Sequence, residues 1–256
     1  MEDLDTPRIM AGAADNILRT LGRFGLHSDE TVLYQSQRTA AYQEALHLLQ
    51  HSGVTYPCAC SRSETADSVV HGIEGLIYPG TCRNGYTPHK QARTTRVRTD
   101  SQLIAFNDGL QGRITQSLEK EIGDFVVLRA DGIFAYQLAV VVDDSFQDIT
   151  HVVRGADLLD STPRQIYLQR LLNLFTPNYI HLPIAVNAQG EKLSKQTLAA
   201  SVDSSQPVAT LLRVLKFLRQ NPPAALDGED LPVIWRWAIT NWRSENLGGI
   251  KTLPAD

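Results

Sequence analysis

The chain has 256 residues, 43% of them hydrophobic and 20% charged, and a formal net charge of -4. There is enough apolar material for a sizeable core in one large domain or two small ones. The acidic balance excludes a basic nucleic-acid-binding coat, so any such contact has to come from local patches. No apolar run reaches the length of a membrane span, no charged-then-apolar leader is read ahead of the first helix, and three clustered cysteines make a poor disulfide framework. The expected compartment is the cytoplasm.

From Asn16 to Leu26 the residues Ile17, Leu18, Leu21 and Phe24 recur at helical spacing, with Gly25 placed to stop the helix. "TVLYQS" reads as a short extended piece. "RTAAYQEALHLLQHSG" is a second amphipathic helix, with Ala41, Ala45, Leu48 and Leu49 on or near one face and Gly53 at its end. Its His47 and His51 stand four apart, a spacing that can bind metal, but no Glu flanks the first and they read as solvated. The stretch from about Tyr56 to Arg98 is irregular, rich in Gly, Pro, Ser and Thr, and holds all three cysteines. Such a segment cannot easily bury a core of its own.

"CAC" places Cys58 and Cys60 two residues apart and "YPGTC" adds Cys82. Thiolates at this spacing suit a tetrahedral Zn²⁺ with Zn–S near ~2.3 Å. The fourth ligand is open among Tyr78, His71 and His89, His being the default on general metal chemistry. A structural zinc could contribute about 10–16 kcal/mol to a segment without a core, and no obvious general base accompanies the cluster, so the role expected is structural. The basic group Lys90, Arg93, Arg96 and Arg98 follows; it either touches nucleic-acid phosphates or forms a solvated face.

The pattern then becomes β-rich: "DFVVLR", "IFAYQLAVVVDD" and "DITHVVRG" read as strands, with "RADG" turning between the first two. "LAVVVDD" has the look of a strand buried on both faces. Asp143 and Asp144 end it, where ligands sit in open α/β sheets; they orient a substrate or Arg154, or merely cap a turn. "TPRQIYLQRLLNLF" is a helix with Thr162 as N-cap and Pro163 at its first position. "YIHLPIAVNAQGEKLSKQ" is a strand and a polar turn, and from about Val208 "VATLLRVLKFLRQ" and "LPVIWRWAITNW" are helical. Alternating strands and helices predict an α/β fold with a mainly parallel sheet. Lys192, Ser194 and Lys195 in "GEKLSKQ" can meet a polyphosphate and stabilise the charge of displacement at an α-phosphate. The loop is not a Walker A motif, and on its own it reads as easily as a solvated turn.

Taken in order, "EDLDTPR", "VLYQSQR", "CAC…YPGTC", "DFVVLRADGIFAYQLAVVVDD", "ITHVVRGADLLDSTPRQ" and "HLPIAVNAQGEKLSKQ" resemble the catalytic domain of glutamyl-tRNA synthetase, a class I aminoacyl-tRNA synthetase, over roughly residues 2 to 200. "KLSKQ" is similar to that family's KMSKS loop. The resemblance implies a Rossmann-like α/β catalytic domain over 1–200, a zinc-binding insertion at 55–100 and a helical stem-like tail at 201–256. It makes Tyr78 the fourth ligand beside Cys58, Cys60 and Cys82. It places glutamate on Glu2 (α-ammonium), Arg154 (a carboxylate) and Tyr136 (orientation), and the ATP phosphates on Lys195 with help from Lys192, with Mg²⁺ accompanying ATP. The short C-terminal region and the metal pattern point to a stand-alone paralogue of the domain. Such a paralogue activates L-glutamate without tRNA and esterifies it onto the queuosine base at the wobble position of tRNA(Asp), and it is expected here as a monomer. The alternatives are a non-catalytic zinc-containing RNA-binding remnant and a truncated tRNA(Glu)-charging enzyme.

In relatives the "EDLDTPR" block lies about forty residues into the chain, behind a first strand and a HIGH-type loop whose helix N-terminus binds ATP phosphates. Neither is found in these 256 residues. The expectation is that Met1 is an internal residue, that the first strand and HIGH-motif helix are missing, and that the strands beside them expose apolar edges.

Overall fold

The computed structural model describes residues 1–5, 9–61, 64, 71–72, 75–86, 89–194 and 201–255. Helices α1 (Ala13–Arg23) and α2 (Thr39–His51) come first; Gly25 and Gly53 take positive φ just past them, as their stop positions require. The cysteine-bearing region is less irregular than expected. It contains β1 (Thr55–Cys58), the short pair β2 (His71–Gly72) and β3 (Gly75–Leu76), and β4 (Thr94–Val97). Then follow β5 (Leu103–Asp108), β6 (Gly112–Ser117), α3 (Leu118–Glu121), β7 (Phe125–Leu128), α4 (Tyr136–Phe146), β8 (His151–Gly155), α5 (Thr162–Leu171), β9 (Asn178–Leu182) and β10 (Ile184–Val186). The chain closes with α6 (Pro207–Phe217), α7 (Leu231–Asn241) and β11 (Thr252–Pro254).

The sheet system is mixed rather than mainly parallel. One sheet runs β6-β5-β9-β8, with β5, β9 and β8 parallel and β6 returning antiparallel beside β5. A second runs β1-β4-β7, antiparallel throughout. β5 closes onto β6 through a short turn, where parallel pairing would need a crossover. β8 is an edge strand, and its Val153 is exposed.

The run "LAVVVDD" is not a strand. Tyr136–Phe146 is a helix, α4, entered from an extended Ala135, and Leu138, Ala139, Val140 and Val141 are all buried. An apolar run of this length cannot be told from a buried helix by periodicity, and a helix packed on most sides is apolar nearly all round. α4 lies against α2 and α5 in the main core, where Tyr42, Leu46, Leu49, Leu138, Ile166 and Leu168 meet. Asp143 is buried at its far end, where it accepts from Arg38 Nε and the Tyr42 hydroxyl, both at 2.7 Å, and so ties α4 to α2.

Two smaller departures follow the same logic. Ser161, not Thr162, precedes the first residue of α5, and Pro163 is second in the helix; the Thr162 side chain is wholly buried and used elsewhere. The predicted strand "YIHLPIAV" breaks at Pro183 into β9 and β10, because Pro supplies no ladder donor. α6 and α7 pack on one another through Leu211, Leu215, Ile234 and Ala238. They are joined back to the body by parallel pairing of β11 with β10, by Trp235 Nε1 donating to Phe24 O at 2.7 Å and by Gln111 Nε2 donating to Ile250 O at 2.9 Å.

Gly123 joins the cysteine region to the main body. Its φ is +75°, and an added Cβ would lie 2.7 Å from Ile77 Cγ2 and 3.0 Å from Tyr78 O. Gly123→Ala is expected to lower stability by about 1–3 kcal/mol from backbone strain alone, read as a fall in the urea midpoint with an unchanged slope.

Candidate active site and cysteine cluster

Asp108, Arg154 and His181 stand at or next to the carboxyl ends of the three parallel strands β5, β8 and β9, the end at which open α/β sheets bind ligands. Arg154 is the centre. Its Nη1 donates to the Tyr136 hydroxyl at 3.2 Å, and its Nε to His181 Nε2 at 3.1 Å. Its Nη2 meets Thr162 Oγ1 and Gln165 Oε1, both at 2.8 Å, and Leu158 O at 3.3 Å. Among the described residues this leaves one Nη1 hydrogen uncommitted, so the fork expected from the sequence is largely engaged within the protein. The guanidinium also lies 5.5 Å from the Tyr179 ring centroid, close enough for a cation–π contribution. Tyr136 begins α4, which aims its hydroxyl across at β8. Burial raises its pKa, so the phenol keeps its proton and can donate it to an acceptor while its oxygen receives Arg154.

Acids surround this cation. Glu2 lies within electrostatic range of Arg154 and Asp143; desolvation raises its carboxyl pKa, opposed by the chain's N-terminal ammonium and by Arg154. The segment carrying it is fixed on both sides. Gln35 N donates to Met1 O at 3.1 Å, Ser36 N and Oγ donate to Asp3 at 2.9 and 2.7 Å, and Arg129 pairs with Asp5 at 3.0 Å. Asp144, unlike its neighbour Asp143, faces the Arg154 side; burial lifts its carboxyl to about 6 against the pull of Arg154, with Asp143 and Glu2 adding to the rise.

The lysine loop is a hairpin off β10: Leu193 N donates to Ala185 O and Asn187 N to Glu191 O, both at 2.9 Å. Lys192 pairs there with Asp157, two residues past Gly155. A Cβ on Gly155 would come within 2.4 Å of Asp157 Oδ1, so this glycine leaves room for that carboxylate. Lys195 lies outside the described residues.

Cys58, Cys60 and Cys82 form no disulfide, and their sulfur atoms lie within 4.8 Å of one another. The Tyr78 hydroxyl is the fourth group, 3.3 Å from Cys58 Sγ and 3.5 Å from Cys60 Sγ, and Cys60 and Cys82 sulfurs are 3.5 Å apart. Four donors around one tetrahedral ion with ~2.3 Å bonds to sulfur would be about 3.8 Å apart, so this set can close on a metal with little movement. His89, a default candidate on metal chemistry, is exposed. The side chain of His71 is outside the described set. The Cys58 thiol is drawn down to about 7: burial opposes this, and hydrogen bonding from Tyr78 and the backbone of Cys60, with the nearby Arg96 guanidinium, outweighs it. A thiolate so stabilised is a ready ligand. Arg96 and Arg98, read as part of a basic face, turn inward. Arg96 lies 3.8 Å over the Tyr78 ring and donates to Asp124 O at 2.7 Å; Arg98 donates to Arg83 O at 2.6 Å. Lys90 pairs with Glu64 at the surface.

Sequence reasoning did not single out Asp108, Thr162 as an Arg154 partner, Gln165 or His181. The signal was there in part: "HLPIAV" puts a histidine where the alternation of a buried strand calls for an apolar residue, and "NDGLQG" puts an acid at a strand end.

The family model of tRNA synthetases class I (E and Q), catalytic domain, matches residues 1–210. The chain belongs to this family, whose members are aminoacyl-tRNA synthetase-like ligases. Among curated relatives it is 56% identical over 244 residues to the glutamyl-Q tRNA(Asp) synthetase of Dechloromonas aromatica, covering 94% of this chain and 81% of the relative. It is 53% identical over 242 residues to the enzyme of the same name from Aromatoleum aromaticum, covering 94% and 76%. Among solved structures, a glutamate-tRNA synthetase from Elizabethkingia anophelis superposes with a TM-score of 0.75 at 19% identity, over 98% of this chain and 59% of that one. That likeness establishes the fold. Among the described residues no helix is long and apolar enough to cross a membrane.

Asp144 gives a pH prediction. Its carboxyl titrates near 6 in the folded chain against 3.8 unfolded, so the folded state binds the proton more tightly. Stability therefore falls as pH rises from about 4 to about 6, and the cost persists above that. Asp144→Asn removes it: unfolding free energy should rise by on the order of 2 kcal/mol at pH 7.5 and be unchanged near pH 4, measured by urea denaturation across that range.

Proposed function

We propose that this chain activates L-glutamate with ATP, forming glutamyl-adenylate and pyrophosphate without tRNA, and then transfers the glutamyl group to the queuosine base of tRNA(Asp). The reading rests on one observation above the others: relatives matched over 94% of the chain at 53% and 56% identity are named glutamyl-Q tRNA(Asp) synthetase. The charge distribution agrees with an amino-acid substrate. An α-ammonium entering between Glu2 and Asp144 would relieve two carboxylates whose pKa values are raised. A carboxylate would take the remaining Nη1 hydrogen of Arg154 and the proton of the Tyr136 hydroxyl.

The chain's own residues then act by positioning. Held at both ends, glutamate presents its α-carboxylate to the α-phosphate, and positioning of this kind can remove a large part of an activation barrier. Lys192, on exchanging Asp157 for phosphate, and Lys195 would stabilise charge that builds on the phosphates. Mg²⁺ accompanies ATP. Cys58, Cys60, Tyr78 and Cys82 would hold one structural Zn²⁺, which would supply a cross-link and no step of the reaction. The catalytic unit spans residues 1–200, the zinc insertion 55–100, and residues 201–256 form a stem.

The test is glutamate-dependent ATP–pyrophosphate exchange without tRNA. The 256 residues contain no HIGH-type loop, so it is run on this chain and on a version extended upstream. Exchange by either, with transfer to queuosine-containing tRNA(Asp) and not to tRNA(Glu), supports the proposal; charging of tRNA(Glu) favours an ordinary glutamyl-tRNA synthetase. Silence from both forms, folded and metal-loaded, overturns it. In the active form Arg154→Lys should raise the glutamate KM at least about tenfold, with little change in the ATP KM. Tyr78→Phe should lower bound zinc by metal analysis and leave the glutamate KM unchanged.

A further inference from the structure

Asp108 and His181 play no part in the reading above, yet they are among the most enclosed polar side chains of the molecule: both are fully buried beyond their backbone. Asp108 ends β5. Its Oδ1 accepts three backbone N–H groups, from Leu110 at 3.0 Å, Gln111 at 2.8 Å and His181 at 3.2 Å. Its Oδ2 is given to one partner, His181 Nδ1, at 2.6 Å. On the other edge of the same ring, Nε2 meets Arg154 Nε at 3.1 Å and Thr162 Oγ1 at 3.2 Å.

These contacts fix the protons. An arginine Nε–H can only donate, so His181 Nε2 has to offer its lone pair. The ring is then neutral, and its single N–H is on Nδ1, pointing at Asp108. A charged imidazolium would set N–H against N–H. Burial and the Arg154 charge lower the ring's pKa, more than Asp108 raises it, in keeping with the neutral form. Asp108 is held as the anion, its pKa lowered by His181 and three backbone N–H groups against the cost of burial.

We propose that Asp108 and His181 are positioning residues for the carboxylate-binding cation: Asp108 selects the Nδ1–H tautomer of His181, and the unprotonated Nε2 then fixes the Arg154 guanidinium toward Tyr136 and the cleft. The proposal deepens the glutamate-site reading and rests on it for its functional half. A guanidinium on a flexible stem has several rotamers; engaging Nε from below leaves one orientation in which Nη1 faces Tyr136. Thr162 supports the same arrangement from α5, its Oγ1 accepting from Nη2 at 2.8 Å and lying 3.2 Å from the same ring nitrogen.

The decisive variant is Asp108→Asn. Three backbone N–H groups converge on Oδ1, so the amide oxygen has to occupy that position, and the amide NH₂ then faces His181 Nδ1. The ring is forced to the Nε2–H tautomer and meets Arg154 Nε–H head on. His181→Gln is the complementary variant, since a glutamine can set its amide oxygen near the Nε2 position with no tautomer to choose.

Two readouts are made: the first on the folded, metal-loaded protein, the second on the form of it that supports exchange. The first is the ring ¹⁵N shifts of His181 with the Arg154 Nε–H resonance: the wild type should show the Nδ1–H tautomer and Asp108→Asn the Nε2–H tautomer with a displaced Arg154 signal. The second is exchange kinetics. Asp108→Asn should raise the glutamate KM by about tenfold or more, the scale of one charge-assisted hydrogen bond, with the ATP KM unchanged. With His181→Gln as the background there is no tautomer left to choose, so adding Asp108→Asn to it should raise the glutamate KM by far less than Asp108→Asn does in the wild type. An Nε2–H tautomer in the wild type overturns the proposal. So does an Asp108→Asn protein whose glutamate and ATP parameters decline together, since that marks a structural defect, or one whose tautomer flips without raising the glutamate KM. If the wild type shows no exchange, the glutamate reading fails, while the ¹⁵N shifts still decide whether Asp108 sets the ring that holds Arg154.

Discussion

A guanidinium taken partly out of water has to keep its hydrogen bonds or forfeit several kcal/mol, and the arrangement around Arg154 answers that demand. Its donors reach Tyr136 at the start of α4, Leu158 in the turn after β8, Thr162 and Gln165 on α5, and His181 on β9. Asp108 on β5 completes the set through His181. Three parallel strands and two helices are thus referenced to one side chain. The α5 helix is unusual in consequence. Its polar residues Thr162, Gln165 and Gln169 are buried, because the face it turns to the sheet has to satisfy a cation and a tyrosine hydroxyl as well as fill space; Gln169 donates to Tyr179 at 3.0 Å.

Two carboxylates do comparable work away from the cleft. Asp143 receives Arg38 and Tyr42 and so sets the distance between α2 and α4, which in turn sets where Tyr136 and Asp144 point. Asp124 is the hub of the cysteine-bearing side: it accepts from the Tyr56 hydroxyl at 2.6 Å, from Thr99 N at 2.8 Å and Oγ1 at 3.0 Å, and pairs with Arg83. Tyr56 is next but one to Cys58, and Arg83 follows Cys82. The buried acid therefore anchors both arms of the cysteine cluster onto β4 and β7, and the cluster need only close the far end.

What the sequence disclosed and what it withheld divide along physical lines. Helix ends marked by Gly25 and Gly53 were legible, since a positive φ has few takers. So was the grouping of Cys58, Cys60 and Cys82, which follows from thiol chemistry at short spacing, and so was the order of blocks that carried the family resemblance. α4 was not legible as a helix because "LAVVV" is apolar at every position and carries no period. Thr162 looked like a cap because a Thr before a Pro usually is one; the pull of Arg154 and His181 took the hydroxyl inward. Asp108 and His181 stayed hidden for a different reason. They are seventy-three positions apart, and only strand pairing between β5 and β9 brings them together. Arg96 and Arg98 misled in the opposite sense: four basic residues in a short run resemble a face for phosphates, but two of them sit over aromatic rings.

The electrostatics of the cleft follow from the same economy. Arg154 has spent most of its donors on neutral partners, so its charge is oriented without being cancelled by a direct ion pair. The nearby carboxylates Glu2 and Asp144 are within its field, yet both have raised pKa values, because burial, with repulsion from Asp143, outweighs the attraction of Arg154 and, at Glu2, of the N-terminal ammonium. Among the described residues Arg154 keeps an unfilled donor, and the acids beside it keep raised pKa values. On the proposed reading, a ligand carrying an ammonium at one end and a carboxylate at the other corrects both at once, whereas a simple anion would add to the repulsion and a simple cation would leave Arg154 unmet. A preorganised charge separation of this kind discriminates by the unsatisfied group that a wrong ligand leaves behind, and it requires that Arg154 not rotate to find its own carboxylate. The ring of His181, buried and pinned from below, is what withholds that rotation.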